Sequence, residues 1–478
     1  MAEDAQTLVA LAATLKQKGD IAGAVQALRR AHTAAPQNAV ILEKLGTMLL
    51  KEDNLAEAEQ VYGAALVLAP QSINVLHNLA LVLERTGRTD EALQSYYAIL
   101  AFAPDYGGAL NNAVRILATT GRFTRGHVTV MRRGKRLRAV DALGFAQENP
   151  QLCLAHDPTP PVARFLLSVP DAEIVSPGLI FQGETFVDAF NGYTAFESAV
   201  HSRGTFPFKI AGGAEGLSLT LEEPPRQVSV TGRVGLFSAT GNYASWMFGE
   251  LPKLAAYLDA GIVDFIFHGA AQPFYFDTLA AFGIGRDRLR LIAADAAVIV
   301  PNLVLATPTY DHHTMAFPAL ESLRARFFAA RPELAAPQST RSLYISRARL
   351  GPVHDRRIAN EAEIETLLAA QGFEVIHPQE CTFAEQAALF ASARRIIAPF
   401  GAALANCIFC APGTQVGVIE TKASPEFGRL FAWRDIDSYV LRPEGRQVRA
   451  GNSISQSHEF NVDPGVLRAM VAAMAAKN

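Results

Sequence analysis

The sequence predicts a mixed α/β protein in which two parallel-sheet units follow an all-α helical solenoid. Three observations carry that prediction. Columns of like residues recur every 34 positions over the first part of the chain. Short apolar runs alternate with helical stretches from Val234 to Ile292, as in a parallel sheet. The same alternation returns at Leu343 and ends in RRIIAPFGAALANCIFCAPGTQVGVIE, Arg395–Glu420. With 478 residues, half of them hydrophobic, the chain is long enough for two or three domains of roughly 150 residues each. We divide it into a repeat domain at 1–138, a linker and first α/β domain at 139–330, and a second α/β domain at 331–478.

The repeat comes first. Pro36, Pro70 and Pro104 share the 34-residue step with Gly19, Asp53, Gly87 and Gly121, with Ala24, Ala58 and Ala92, and with Leu11, Leu45 and Leu79. Small residues allow helices to cross closely, and proline stops each second helix. The pattern resembles the tetratricopeptide repeat, a helix–turn–helix unit, over residues 5 to about 135. Three repeats are clear and a fourth decays, with Ala113 and Gly126 where leucine and alanine stood. In that family one register faces a concave groove, and here it holds Ala10, Lys44, Asn78 and Asn112. Asn78 and Asn112 would bind the backbone of an extended peptide, or are ordinary polar surface. Arg122–Arg138 holds seven lysines and arginines and no acid. It would meet an acidic acceptor or an anionic lipid surface, or form a solvated helix face at a domain junction.

Composition excludes several classes. A net charge of −3 offers no overall field for nucleic acid. Four cysteines are too few for a disulfide framework. Cys407 and Cys410 form one C-x-x-C with apolar Ile408-Phe409 between, which reads as buried small hydrophobes rather than a zinc site. MAEDAQ lacks a signal-peptide pattern, and no apolar run reaches about 18 residues, so no membrane span is expected. A soluble cytoplasmic protein is the expectation.

From about 140 to 225 the pattern weakens to a linker with short strands such as Gly178–Gln182. Order returns with a strand at Gly235–Phe237, a small-residue loop, and a helix from Tyr243 to about Tyr257 that Pro252 would kink. Asn242, Tyr243, Ser245 and Glu250 cluster at this loop-to-helix junction. The carboxyl edge of a parallel sheet is where ligands bind. Glu250, the only carboxylate there, suits a general base, or is a salt-bridged helix residue. Asp311, His312 and His313 precede another helix and would serve as acid–base groups or as a cap.

In the last part, Leu343–Ser346 is a strand, and Arg347, Arg349, Arg356 and Arg357 follow. Asn360 with Glu363, and Thr382 with Glu385, read as capping boxes. Phe373–Ile376, Arg395–Ala398 and Val416–Ile419 are further strands, giving a Rossmann-like half. Gly401, Ala402 and Ala403 let a ligand approach the backbone at a helix start, which favours an anion. Arginine forks at Arg347 and Arg357 suit phosphate oxygens. Glu420, at the next strand end, would accept hydrogen bonds from hydroxyls. The site suits a phosphorylated ligand with a sugar.

LYISRARLGPVHDRRIANEAEI and FEVIHPQECTFAEQAALFASARRIIAPFGAALANCIFCAPGTQVGVIE, with NYASWMFGELPKL upstream, resemble glycosyltransferase family 61 over about 230 to 440. The shared motifs are a strand ending in Ser-Arg, an Arg-Ile-x-Asn-Glu helix start, a Glu-Gln helix, a Gly-Ala turn, and a Pro-Gly-Thr strand ending in Glu. The resemblance implies a GT-B-like pair of Rossmann-type domains and an inverting transferase. Its donor would be a nucleotide-sugar, usually a UDP-sugar, and its acceptor a protein or polysaccharide recruited by the repeat groove. By position, Arg347 and Arg357 would hold the diphosphate, Gly401, Ala402 and Ala403 would pack against it, and Glu420 would meet the ribose. Asn242 and Ser245 would lie on the acceptor side, and Glu250, His312 or His313 would move the proton. No metal or other cofactor is expected, because arginine and a helix start neutralise the leaving diphosphate. Asp435-Ile436-Asp437 matches a metal-binding D-x-D pattern but lies near the end of the sheet. Ser245 and Phe400 stand where the family commonly has histidine, so the alternative is a peptide-binding scaffold with a degenerate transferase-like domain.

Overall fold

The computed structural model describes residues 4–104, 106–120, 128–132, 135–157, 164–176, 179–188, 208–213, 216–221, 226–238, 242–269, 271–293, 295–307, 309–310, 315–335, 339–350, 357–420, 425–443 and 459–476. The fold is mixed α/β with a helical repeat region at its N-terminus. By contacts the chain forms two compact units. One holds Met1–Phe145, Glu173–Val228 and Asp295–Val298, and the other holds Ala146–Ala172, Ser229–Ala294 and Ile299–Asn478.

In the first unit the 34-residue columns acquire physical causes. Helices run at Ala5–Gln17, Ile21–Ala34, Ala39–Lys51, Leu55–Leu68, Ile73–Arg85, Thr89–Phe102 and Gly107–Thr119. Gly19, Asp53 and Gly87 take φ of 82°, 62° and 79° in the turn inside each pair, so this column needs a residue that tolerates the left-handed region. Pro36, Pro70 and Pro104 each stand two residues past a helix end. Ala24, Ala58 and Ala92 are fully buried where helices cross. Asn78 and Asn112 are half-buried and engaged within the solenoid. Asn78 donates to Thr47 Oγ1 at 3.4 Å and also bonds Tyr62, while Asn112 bonds Tyr96, one repeat on.

One expectation fails in this unit. The basic stretch is not a helix: Val128–Arg132 and Lys135–Asp141 form an antiparallel strand pair. Val130 and Leu137 are buried, and Leu137 stands between Arg136 and Arg138, which suits a sheet covered on one face. Arg132 pairs with Glu173 through two 2.7 Å bonds and lies over the Phe181 ring, so it is no free surface charge. Lys135 meets Glu184 at 3.1 Å. Arg122, Arg125 and Arg133 lie outside the described residues. In the following segment the expected short strands are present, Leu179–Gln182 among them, and they belong to a sheet. Leu179–Gln182, Thr185–Asp188, Lys135–Asp141, Val128–Arg132, Gly216–Leu221 and Phe208–Gly213 neighbour one another, in that order, in a mixed sheet. Val130, Leu137, Leu179, Phe181, Phe186 and Leu217 join Leu110, Val114 and Leu117 of the last repeat helix in one core. The sheet takes the place of a further repeat.

The second unit holds two parallel sheets. The first runs Leu289–Ile292, Phe265–His268, Arg233–Ser238 and then the Ala296–Ala306 strand. The second runs Glu374–Ile376, Arg341–Ile345, Ala393–Pro399, Gln415–Ile419 and Asp437–Leu441. A single hydrophobic core spans both: Phe237, Trp246, Phe267 and Leu323 belong to the same cluster as Phe383, Ile396, Phe409 and Leu430. The contacts do not divide the chain near residue 330. The helical stretch is interrupted at Pro252, where a kink is expected: a separate helix, Lys253–Asp259, starts just after it. A π-turn at Trp246–Glu250 precedes it, closed by Leu251 N–H to Trp246 O at 2.8 Å. Thr382 and Glu385 do form a capping box. Asn360 does not; its side chain exchanges hydrogen bonds of 2.9 and 3.0 Å with the Val462 backbone, tying down the C-terminal segment.

Candidate functional site

Four of the second sheet's five strands carry candidate residues at the carboxyl edge. Arg347 follows Arg341–Ile345, Phe400 follows Ala393–Pro399, Glu420 follows Gln415–Ile419, and Arg442 follows Asp437–Leu441. Arg347 is brought directly onto the Gly-Ala turn: its Nη1 donates to the Phe400 carbonyl at 3.1 Å. Gly401 is extended, with φ 176° and ψ 174°, so glycine is not required for its backbone angles. What it does is leave room for Arg347: a Cβ there would lie 2.9 Å from Arg347 Nη1 and displace it. We expect Gly401→Ala to push the guanidinium aside without straining the chain. In the donor site proposed below, nucleotide affinity, read by calorimetry, should fall by about tenfold, the loss of one charge-assisted bond, while the melting temperature stays unchanged. Ala402 and Ala403 are partly exposed and open the 3₁₀ helix Ala402–Phe409. Its first N–H groups have no partner inside the helix, as at any helix start.

Behind Arg347 stands a residue that sequence reasoning passed over. Glu361 is buried, and its Oε1 accepts from Arg347 N–H at 2.6 Å and from the Tyr344 and Ser346 hydroxyls at 3.2 Å each. Burial and this carboxylate push the Tyr344 hydroxyl well above its ordinary range. Ser346 also donates to Glu365 at 2.6 Å. The signal was the glutamate of Arg-Ile-x-Asn-Glu, which opens the helix Glu361–Ala370 and yet is buried. Glu420 is buried too, with Arg442 Nη2 at 3.7 Å. The Arg357 backbone pairs with Glu459 in a short parallel ladder, and its side chain lies outside the described residues. Arg349 points elsewhere, to an exposed pair with Glu380 at 2.7 Å.

At the carboxyl edge of the first sheet the predicted polar group divides by role. Asn242 caps its helix, accepting from Ala244 and Ser245 N–H at 2.8 and 3.2 Å. Ser245 is partly buried beside it. Glu250 is not poised as an open base. Its Oε1 meets Lys253 Nζ at 2.6 Å and its Oε2 accepts Ser238 N–H at 2.8 Å, all inside the protein. Burial holds Lys253 below its ordinary value, and Glu250 opposes that shift. Asp311, His312 and His313 lie outside the described residues. Tyr243 donates to Asn406 Oδ1 at 2.8 Å, and Asn406 donates to Gln386 Oε1 at 2.9 Å. This polar chain ties the loop-to-helix junction to the helix behind Gly401 and to the Glu-Gln helix. Burial pushes the Tyr243 hydroxyl up.

Two metal readings receive no geometric support. Asp437 pairs with Gln415 at the start of its strand, so Asp435 and Asp437 sit at the amino end of the sheet, away from Glu420. Cys407 and Cys410 are buried free thiols, and burial pushes Cys407 up. Among the described residues no three His, Cys, Asp or Glu side chains group as a metal site. Among them, too, no helix is long and apolar enough to cross a membrane.

Comparison with known proteins adds family information. Residues 243–417 match the model of Glycosyltransferase 61 and residues 73–106 that of a tetratricopeptide repeat. No curated protein matches the chain. Among solved structures, a tetratricopeptide repeat protein from Parabacteroides merdae ATCC 43184 is 27% identical over 25% of this chain and 48% of that one, with a TM-score of 0.24. MamA is 20% identical over 25% of this chain and 69% of its own, also at 0.24. The second TPR of Spaghetti (RPAP3), bound to an HSP90 peptide, is 19% identical over 21% and 92%, at 0.20. The chain thus spans about half the length of the first of these. The protein carries a tetratricopeptide repeat region followed by a domain of the glycosyltransferase 61 type.

Proposed function

We propose that this protein is an inverting glycosyltransferase of GT-B-like architecture, moving a sugar from a nucleotide-sugar, UDP-sugar above all, to a protein or polysaccharide acceptor held by the repeats. The observation that supports it most is Arg347 seated on the Phe400-Gly401 turn at the carboxyl edge of the second sheet, beside Glu420. In this reading the Arg347 fork and the N–H groups of Ala402 and Ala403 take up the charge that develops on the departing diphosphate. Arg357 contributes a second fork and Glu420 holds the ribose hydroxyls. Ser245 and Asn242 border the acceptor. The proton leaves the acceptor hydroxyl for Glu250, His312 or His313, and Glu250 would have to part from Lys253 to take it. The buried glutamate and lysine otherwise set the position of the strand end above them. The reading needs no metal, and it places no nucleic acid or membrane span among its partners.

The test is a calorimetric titration of the whole protein with UDP, GDP and CMP, repeated on Arg347→Ala. Losing hydrogen bonds to a charged group costs about 1.5–3 kcal/mol, roughly 10- to 150-fold in affinity. Selective binding that falls by this much in the variant supports the donor site, and no binding of any nucleotide removes it. One observation favours the scaffold alternative. Phe400 packs edge-to-face on Phe427, with ring centroids 5.6 Å apart, and so offers no proton-transferring group at the turn. A glycosylated product recovered in vitro would eliminate that alternative.

A further inference from the structure

A run of four aromatic rings joins the carboxyl edge of the first sheet to that of the second. Tyr310 follows the Ala296–Ala306 strand, and its ring centroid lies 5.8 Å from that of Phe248 in the π-turn. Phe248 lies 6.0 Å from Phe427, and Phe427 lies 5.6 Å from Phe400, nearly edge to face at 84°. Phe248 and Phe427 are buried, while Phe400 and Tyr310 at the two ends are only partly covered. The strand decides which way Phe400 turns, because side chains alternate between the faces of a sheet. Ile396 and Ala398 join the core common to both sheets, whereas Ile397 joins the core on the opposite face. Phe400 continues the first set and packs against the common core. Its backbone is held on both sides, its N–H donating to Ile419 O at 2.8 Å and its carbonyl accepting from Arg347 Nη1 at 3.1 Å. The ring therefore stands on a fixed stem, with its tilt set by the buried Phe427.

We propose that the Phe400 ring is the platform on which the transferred sugar lies, taking a pyranose by its C–H face. The inference rests on the donor site proposed above. In an inverting transfer the acceptor oxygen bonds to the anomeric carbon as the bond to the diphosphate oxygen breaks on the opposite side. The sugar ring must then lie between the diphosphate and the group that takes the acceptor's proton. In that site the diphosphate sits at Arg347 and Gly401, and Gly401 directly follows Phe400. Glu250, one of the three candidates for the proton, lies two residues past Phe248 in the same π-turn. The run of rings spans this interval, and Phe400 is its partly open member at the diphosphate end. A pyranose carries its hydroxyls round the rim and C–H bonds on its faces. The negative face of an aromatic ring attracts such hydrogens, and the contact removes two apolar surfaces from water. A phenyl ring moves no proton, so what it brings to the turn is this flat apolar face. Leucine would match its apolar character without the face.

The test titrates the whole protein by calorimetry with UDP and with UDP-glucose, UDP-galactose, UDP-N-acetylglucosamine and UDP-xylose, on the natural sequence and on Phe400→Leu and Phe400→Tyr. Both substitutions keep the backbone carbonyl that Arg347 uses. Phe400→Leu is expected to weaken the best-bound sugar nucleotide by about fivefold, the worth of one aromatic face contact, and to change UDP by less than about twofold. Phe400→Tyr keeps the face and should stay within about twofold of the natural protein for both. Undiminished sugar-nucleotide affinity in Phe400→Leu overturns the platform. So does an equal loss for UDP, which would mark a ring that only packs the turn, and so does a loss in Phe400→Tyr as large as in Phe400→Leu. Binding of UDP without any of the four sugar nucleotides overturns it as well. Each of these results leaves the donor site standing as long as UDP binds the natural protein and fails to bind Arg347→Ala. Failure of the natural protein to bind UDP or any sugar nucleotide overturns the donor site and this inference together.

Discussion

Lys253→Met should destabilise the protein by about 3–5 kcal/mol, the range for breaking a buried ion pair from one side. Glu250 and Lys253 are 3% and 0% exposed, and the pair is held at 2.6 Å. Methionine matches the lysine stem in length, so no large cavity is made. The cost is electrostatic, because Glu250 would remain inside with one backbone N–H, that of Ser238, facing its other oxygen. Adding Glu250→Gln should restore most of the loss, since the amide oxygen still accepts from Ser238 and carries no charge. A thermal melt of the single and double variants checks this, and a single variant that melts within a degree of the natural protein would contradict it. The pH dependence follows from burial holding Lys253 below 10.5. Between its folded value and 10.5 the unfolded chain binds more protons, so this residue's contribution moves towards stability as pH rises through that window. The slope should vanish in Lys253→Met.

The second large effect is expected at Glu361. Glu361→Ala leaves Arg347 N–H and the Tyr344 hydroxyl without the acceptor they share, and deprives Ser346 of one of its two carboxylate partners. Each buried donor left unsatisfied costs about 1–3 kcal/mol. The loss therefore falls on stability and on the aim of Arg347 at once. Nucleotide affinity should drop by at least about tenfold, although Glu361 touches no ligand in the proposed site. Glu361→Gln keeps an acceptor oxygen and should recover part of both. Calorimetry beside a thermal melt separates the two: a variant that melts earlier but binds as before would make Glu361 a stabilising group only.

The readable parts of this chain were those where one local rule decides the outcome. The 34-residue step needs a residue that accepts positive φ at Gly19, Asp53 and Gly87, and a stop at Pro36, Pro70 and Pro104, so the solenoid could be read directly. The strand, turn and helix around Gly401 were legible for the same reason. Arg132 and its neighbours were misread because a run of basic residues says nothing about partners 41 residues away, such as Glu173. Asn360 had the right spacing for a capping box, yet Val462, 102 residues on, takes its side chain. The salt-bridged reading of Glu250 was open from the sequence, with Lys253 one helical turn away, but sequence alone does not show that both are inside. The polar chain from Tyr243 through Asn406 to Gln386 spans 163 positions and left no local trace.

The shared core of the two parallel sheets has a bearing on protein engineering. Phe327 meets Phe383 and Phe409 at 5.7 and 5.1 Å, and Phe248 meets Phe427 at 6.0 Å, so aromatic rings from before residue 330 interlock with rings from after it. A chimera that exchanges one half for that of a relative would bring a mismatched set of rings to this seam. Recombination between relatives would thus have to carry Phe248, Phe327, Phe383, Phe409 and Phe427 as one inherited block, with the crossover placed outside it.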